Sequence, residues 1–135
     1  MDDESRRLTM MAKMVPFSAY LGFEVKRSGR DGVVIEVVLR AEYCTLGDTA
    51  HGGFLMTLAD FAGAIGAIEV LPEGGKGTTT IESKTNMVGA AAVGSVLRAT
   101  AMPVHVGRRT SVWTTRVETA AGKLISVTTQ TQMVL

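Results

Sequence analysis

Hydrophobic and polar positions divide the chain into four zones, each with its own period. Residues Asp3 to Met14 can form a short helix, ended by Pro16 because the residue before a proline avoids the helical region. A hairpin is predicted next: Gly22 to Lys26, the turn Ser28-Gly29-Arg30-Asp31-Gly32, and Val33 to Leu39. In its second strand Val34, Val37, Val38 and Leu39 surround Glu36, which predicts one strongly buried face. From His51 to Val70 the period changes to that of a helix, with Leu55, Leu58, Ala62 and Ile65 as its apolar stripe. Ala59, Gly63, Ala64, Gly66 and Ala67 fill much of the rest, which predicts the close approach of another backbone, as in a helix enclosed by a curved sheet. Leu71 to Gly77 reads as a loop. Four β-like stretches close the chain, Thr78 to Met87, Ser95 to Val106, Thr110 to Glu118 and Lys123 to Val134, separated by short breaks rich in glycine or alanine.

A hairpin, one long helix of small residues and a run of strands point to α+β with an antiparallel sheet rather than a βαβ nucleotide fold. Residues 1–135 read as a single domain, with 1–16 as an N-terminal helical segment. One helix cannot cover both faces of such a sheet, so an apolar outer face buried by a second copy is expected.

Composition narrows the function more than the fold. Hydrophobic residues make up 46% and charged residues 20%, with a formal net charge of +1, so no overall field favours nucleic acid or an anionic membrane. Recognition of an anion must come from a local cluster. Cys44 is the only cysteine, which excludes an intrachain disulfide and agrees with a cytoplasmic location. The start MDDESRRLTMMAKMVPF is acidic and interrupted by Lys13, unlike a secretory signal. Thr49 to Ile68 has the length of a membrane span, but it carries His51, Asp60 and several glycines, so a buried helix is the better reading. Neither His51 nor His105 has the acidic spacing of a metal site, and Gly74-Gly75-Lys76-Gly77-Thr78 fails the phosphate-loop pattern. No metal or redox cofactor is expected.

The candidate chemistry gathers on the long helix. Asp60 is the only acid between Thr49 and Ile68, mid-helix and too far from the start to act as a cap. Such a carboxylate either faces solvent, pairs with an arginine, or is held for proton transfer. His51-Gly52-Gly53 stands where the helix begins. Its glycines can leave backbone N–H groups open at the positive end of the dipole, suited to an oxyanion, or can simply let the chain turn with His51 as a cap. Gly52 to Asp60 spans about two turns, ~12 Å of axis, far for two groups acting on one carbonyl. Antiparallel helices in a two-fold dimer would bring Asp60 of one chain near Gly52 of the other.

The run His51-Gly52-Gly53-Phe54-Leu55-Met56-Thr57-Leu58-Ala59-Asp60 resembles the HGGxxxxLAD signature of hot-dog acyl-CoA thioesterases of the phenylacetate-pathway, PaaI-like branch. Thr80-Ile81-Glu82-Ser83-Lys84, Val106-Gly107-Arg108-Arg109-Thr110 and Gly122-Lys123-Leu124-Ile125 resemble, in order, the strand after the helix, a later turn and the entry to the last strand. The resemblance implies a hot-dog fold, an antiparallel sheet of five or six strands wrapped around one long helix, in dimers often paired into tetramers. It also implies hydrolysis of an acyl-CoA to free acid and CoA, with coenzyme A as part of the substrate. By analogy the Gly52 amide, with Gly53, polarises the thioester carbonyl. Asp60 of the partner chain acts as general base or nucleophile, Thr80 orients the water, and the turn Gly107-Arg108-Arg109 meets the phosphates of coenzyme A. The family pattern NxxGxxHGG is altered here to Cys44-Thr45-Leu46-Gly47-Asp48-Thr49-Ala50-His51, so its upstream amide is absent or replaced by Thr45 or Asp48. Two other readings compete: a non-catalytic acyl-CoA-binding or sensing protein, and an enoyl-CoA hydratase or dehydratase.

Overall fold

The computed structural model describes residues 1–135. Helix α1 (Asp3–Met14) has the expected bounds, capped by Asp2, whose side chain accepts from the Ser5 amide at 2.7 Å. Pro16 does more than end it. With its fixed φ suited to a first helical position, it starts a second helix, α2 (Pro16–Leu21), which the sequence pattern did not indicate. The hairpin strands β1 (Glu24–Gly29) and β2 (Gly32–Val38) run further into the turn than predicted, leaving only Arg30-Asp31 between them. A short 3-10 turn (Ala41–Tyr43) and the two-residue strands β3 (Cys44–Thr45) and β4 (Thr49–Ala50) form a small hairpin ahead of the long helix.

The long helix α3 (Gly52–Glu69) lies in the grip of a six-stranded antiparallel sheet, completed by β5 (Thr78–Met87), β6 (Val96–Val106), β7 (Thr110–Thr119) and β8 (Leu124–Val134). The strand order is β1-β2-β6-β7-β8-β5, so β6 to β8 form a meander while β5 crosses to the far edge beside β8. This is the α+β hot-dog arrangement. Although α3 is long and apolar enough to cross a membrane, most of it is buried inside the fold.

One expectation needs correction. The small residues of α3 do not admit another backbone; they admit side chains. A Cβ at Gly66 would stand 2.5 Å from the Trp113 ring, and one at Gly63 would stand 2.2 Å from Gln130 Oε1. Trp113 is wholly buried in the core. The outer sheet face mixes exposed apolar side chains, among them Val38, Val96 and Met102, with polar ones. It carries Thr100, Thr114, Thr129 and Thr131 across β6, β7 and β8, and the ion pairs Arg98–Glu36 (2.6 Å) and Arg116–Glu118 (3.1 Å). Threonine suits a pleated, half-wet surface.

The two edges of the sheet differ. Helix α1 packs against β1 and is tied down by Arg7, which donates to Glu69 at 2.7 Å and to the Ser28 carbonyl at 2.8 Å. Burial pushes the Glu69 carboxyl up, but hydrogen bonds from Ser28 and Arg7 outweigh it and hold the group below its ordinary range. At the opposite edge β5 pairs only with β8, leaving a ten-residue strand open along its other side.

Candidate active site

His51 enters the helix with extended backbone angles (φ −66°, ψ 135°), and its Nδ1 accepts from the Gly53 amide at 2.9 Å. The imidazole is thus an N-cap, satisfying one of the donors that open a helix. That bond commits the Gly53 N–H. The Gly52 N–H, at the first helical position, has no acceptor within the chain, and the Met87 thioether lies where a Gly52 side chain would stand. The Gly52 amide is thus left unpaired at the positive end of an 18-residue helix.

Asp60 lies two turns on, half-buried, on the side of α3 that faces β5 and β8. Its Oδ1 accepts from Thr80 Oγ1 at 2.8 Å and from Gln130 Nε2 at 3.3 Å. Gln132 Nε2 in turn donates to Thr80 Oγ1. Thr80 and Gln132 are register partners across β5 and β8, and Ser83 and Gln130 are the next inward pair, so the pleat aims both glutamines at the helix. Thr80 keeps a second lone pair on its oxygen, which can accept from a water.

Sequence reasoning missed Gln130 and Gln132. Along β8 the inward set is Ser126, Thr128, Gln130 and Gln132, all buried, while Val127, Thr129 and Thr131 alternate with them on the other face. The available signal was two uncharged amides, two residues apart, in a strand otherwise made of small hydroxyls and aliphatics.

Gly107, Arg108 and Arg109 form the turn between β6 and β7, closed by the Gly107 amide donating to the Thr110 carbonyl at 2.8 Å. The Arg109 carbonyl accepts from the Val134 amide at 2.8 Å, which ties the turn to the end of β8 just beyond Gln132. The arginines therefore share a sheet end with Thr80. Both are exposed, neither pairs with a carboxylate, and Lys76, in the loop before β5, is likewise without an acidic partner.

Beside His51 and Gly53 a cavity of about 290 Å³ opens between α2 and α3. Phe17, Leu21, Tyr43, Cys44 and Phe54 supply its apolar lining, and Glu42 is its one carboxylate. Tyr43 and Phe54 stack at 4.5 Å, and the Tyr43 hydroxyl is anchored to the Leu21 carbonyl at 2.6 Å, so this wall is rigid. Desolvation, with Asp48 and Glu42 nearby, pushes the Cys44 thiol up, which suits a wall residue rather than a nucleophile. A larger cleft of about 910 Å³ between α1 and β1 contains none of these groups. No cluster of three or more His, Cys, Asp or Glu side chains that could hold a metal is present.

Within one chain Gly52 and Asp60 stay apart along the helix, ~12 Å by its rise.

Comparisons with known proteins point one way. Residues 47–126, more than half of the chain, match the sequence profile of the Thioesterase superfamily. A curated relative from Archaeoglobus fulgidus with a provisional esterase designation is 31% identical over 93 residues, 69% of this chain and 58% of that protein. The chain therefore spans under two thirds of that relative. Among solved structures, the phenylacetic acid degradation protein PaaI of Thermus thermophilus, as a point mutant, is 30% identical with a TM-score of 0.82, over 90% of this chain and 100% of that one. A hypothetical thioesterase of Streptococcus pneumoniae, crystallised with coenzyme A, is 25% identical with a TM-score of 0.80, over 96% and 95% of the two chains. A thioesterase of Haemophilus influenzae shares the fold at a TM-score of 0.87 and 22% identity, over 100% and 92%.

Proposed function

The chain belongs to the thioesterase superfamily, in its PaaI-like branch, and from that premise we propose that it hydrolyses acyl-CoA thioesters at a site shared by two copies of itself. The observation that carries the reading is the pairing of an unsatisfied Gly52 amide with a separately held Asp60 carboxylate on the same helix. In the assembled site the Gly52 N–H of one protomer receives the carbonyl oxygen of the thioester. Asp60 of the other supplies the base or nucleophile. As a base, Asp60 takes a proton from water while the water oxygen bonds to the carbonyl carbon. The resulting oxyanion is held by the amide, and its collapse breaks the C–S bond and returns the proton to the departing sulfur. As a nucleophile, Asp60 forms an anhydride as the thiolate leaves, and water then cleaves it. Both routes balance, and both end in free acid and CoA.

The open edge of β5 supports the dimer. Beside it α3 exposes Met56 and Ile68, so edge pairing between two copies would cover strand and helix together. The unpaired Arg108, Arg109 and Lys76 are suited to the phosphates of coenzyme A. The apolar cavity at His51 and Gly53 suits the acyl group, because it offers no cation for a phosphate and Glu42 repels an anionic acyl chain. Its volume fits an aryl or small-to-medium acyl group rather than a long chain. A cytoplasmic location agrees with this substrate.

Thiol release measured across phenylacetyl-, hexanoyl-, palmitoyl- and succinyl-CoA tests the reading. Turnover of the first two is expected, with kcat/KM about tenfold or more above the last two, the scale on which an ill-fitting apolar pocket discriminates. Tight binding without thiol release from any of the four would establish a sensing protein instead.

A further inference from the structure

We infer that Gln132, acting through Thr80, and Gln130, acting directly, are positioning residues that fix Oδ2 as the reacting oxygen of Asp60. The inference rests on Asp60 being the catalytic carboxylate, as proposed above.

The direction of each hydrogen bond follows from the groups involved. A carboxylate oxygen only accepts, so at 2.8 Å Thr80 must donate its single hydroxyl proton to Asp60 Oδ1. Its oxygen then has only lone pairs to offer, so Gln132 must present its Nε2. The same reasoning turns Gln130 Nε2 toward Oδ1, where it also reaches the Asp60 carbonyl at 3.4 Å. Two donors converge on Oδ1 and none within the chain reaches Oδ2. One carboxylate oxygen is thereby tied to the sheet, and the other is presented for a proton or for a carbonyl carbon.

Burial makes these amides costly to the fold. Gln130 is 0% and Gln132 1% exposed, yet the Oε1 atom of each has no hydrogen-bond partner. An unpaired buried carbonyl opposes folding, and an aliphatic side chain of similar length would avoid that cost. The helix also gives way to them, since Gly63 leaves room for an amide that any larger residue would displace. Groups that lower stability while holding a reactive side chain are what a trade between stability and activity produces.

The test uses Gln132→Met, Gln130→Met, Thr80→Val, Thr80→Ser and the Thr80→Val/Gln132→Met pair beside Asp60→Asn, reading kcat, KM and thermal midpoint. Each methionine variant is expected to lose about tenfold or more in kcat with KM within about twofold, the scale of a lost hydrogen bond to a charged group. The thermal midpoint should stay or rise, and Thr80→Ser should keep most of kcat. In the Thr80→Val background, Gln132→Met should cost nothing further, because its effect passes through the hydroxyl. Methionine variants that keep full kcat, lose it in step with thermal midpoint, fail to fold, or add their loss to that of Thr80→Val would each overturn the inference. Full activity of Asp60→Asn would overturn the underlying reading instead, so the two failures are distinct.

Discussion

Asp60→Asn is expected to lower kcat for acyl-CoA hydrolysis by about 10²–10⁴-fold while leaving the fold intact and CoA binding unchanged. The substitution keeps the shape of the side chain. The asparagine carbonyl can still accept from Thr80 and Gln130 in place of Oδ1. That arrangement places the NH₂ group where Oδ2 stood, so a donor with no basic lone pair replaces the base or nucleophile. Steady-state thiol release, with calorimetric titration of CoA and a circular dichroism spectrum, separates lost chemistry from lost binding or lost fold. Undiminished hydrolysis would remove Asp60 from the mechanism.

Gly52→Pro is expected to cost about 10²–10³-fold in kcat, the measured scale for deleting one oxyanion donor. Backbone amides rarely offer so clean a test. Gly52 occupies the first turn of α3, where proline is favoured and no intrahelical bond is lost. His51 before it has φ −66° and ψ 135°, a conformation that a residue preceding proline readily adopts. The ring would meet the tip of Met87, a flexible side chain that is 48% exposed and free to move. Gly52→Ala is the control, since its Cβ meets the same methionine while its N–H remains. Comparable losses in both variants would mean that crowding, and not the missing donor, is responsible.

Much of this candidate site is legible in the sequence, because its parts sit on elements with strong local signals. The bounds of α1 and α3 follow from a charged, capped segment and a helical apolar stripe, both set by neighbours within a few residues. Asp60 stands out because an acid in the middle of an apolar helix needs a reason. What stays hidden depends on contacts distant in sequence. Gln130 lies 70 residues from Asp60 and Gln132 lies 52 from Thr80, and only the crossover that sets β5 beside β8 brings them together. The side chains that Gly63 and Gly66 admit are hidden for the same reason, as their partners Gln130 and Trp113 arrive from β8 and β7. Helix α2 was missed because Pro16 is read more readily as a stop than as a start.

The shared site proposed above takes its amide from one chain and its carboxylate from the other. Co-expression of differently tagged Gly52→Pro and Asp60→Asn chains, with purification of the mixed dimer, tests it directly. Each chain alone should be nearly inactive. The mixed dimer contains one site lacking both groups and one site that is wild type, so about half the wild-type rate per dimer is predicted. A mixed dimer as inactive as its two parents would show that Gly52 and Asp60 act within a single chain, or not together at all.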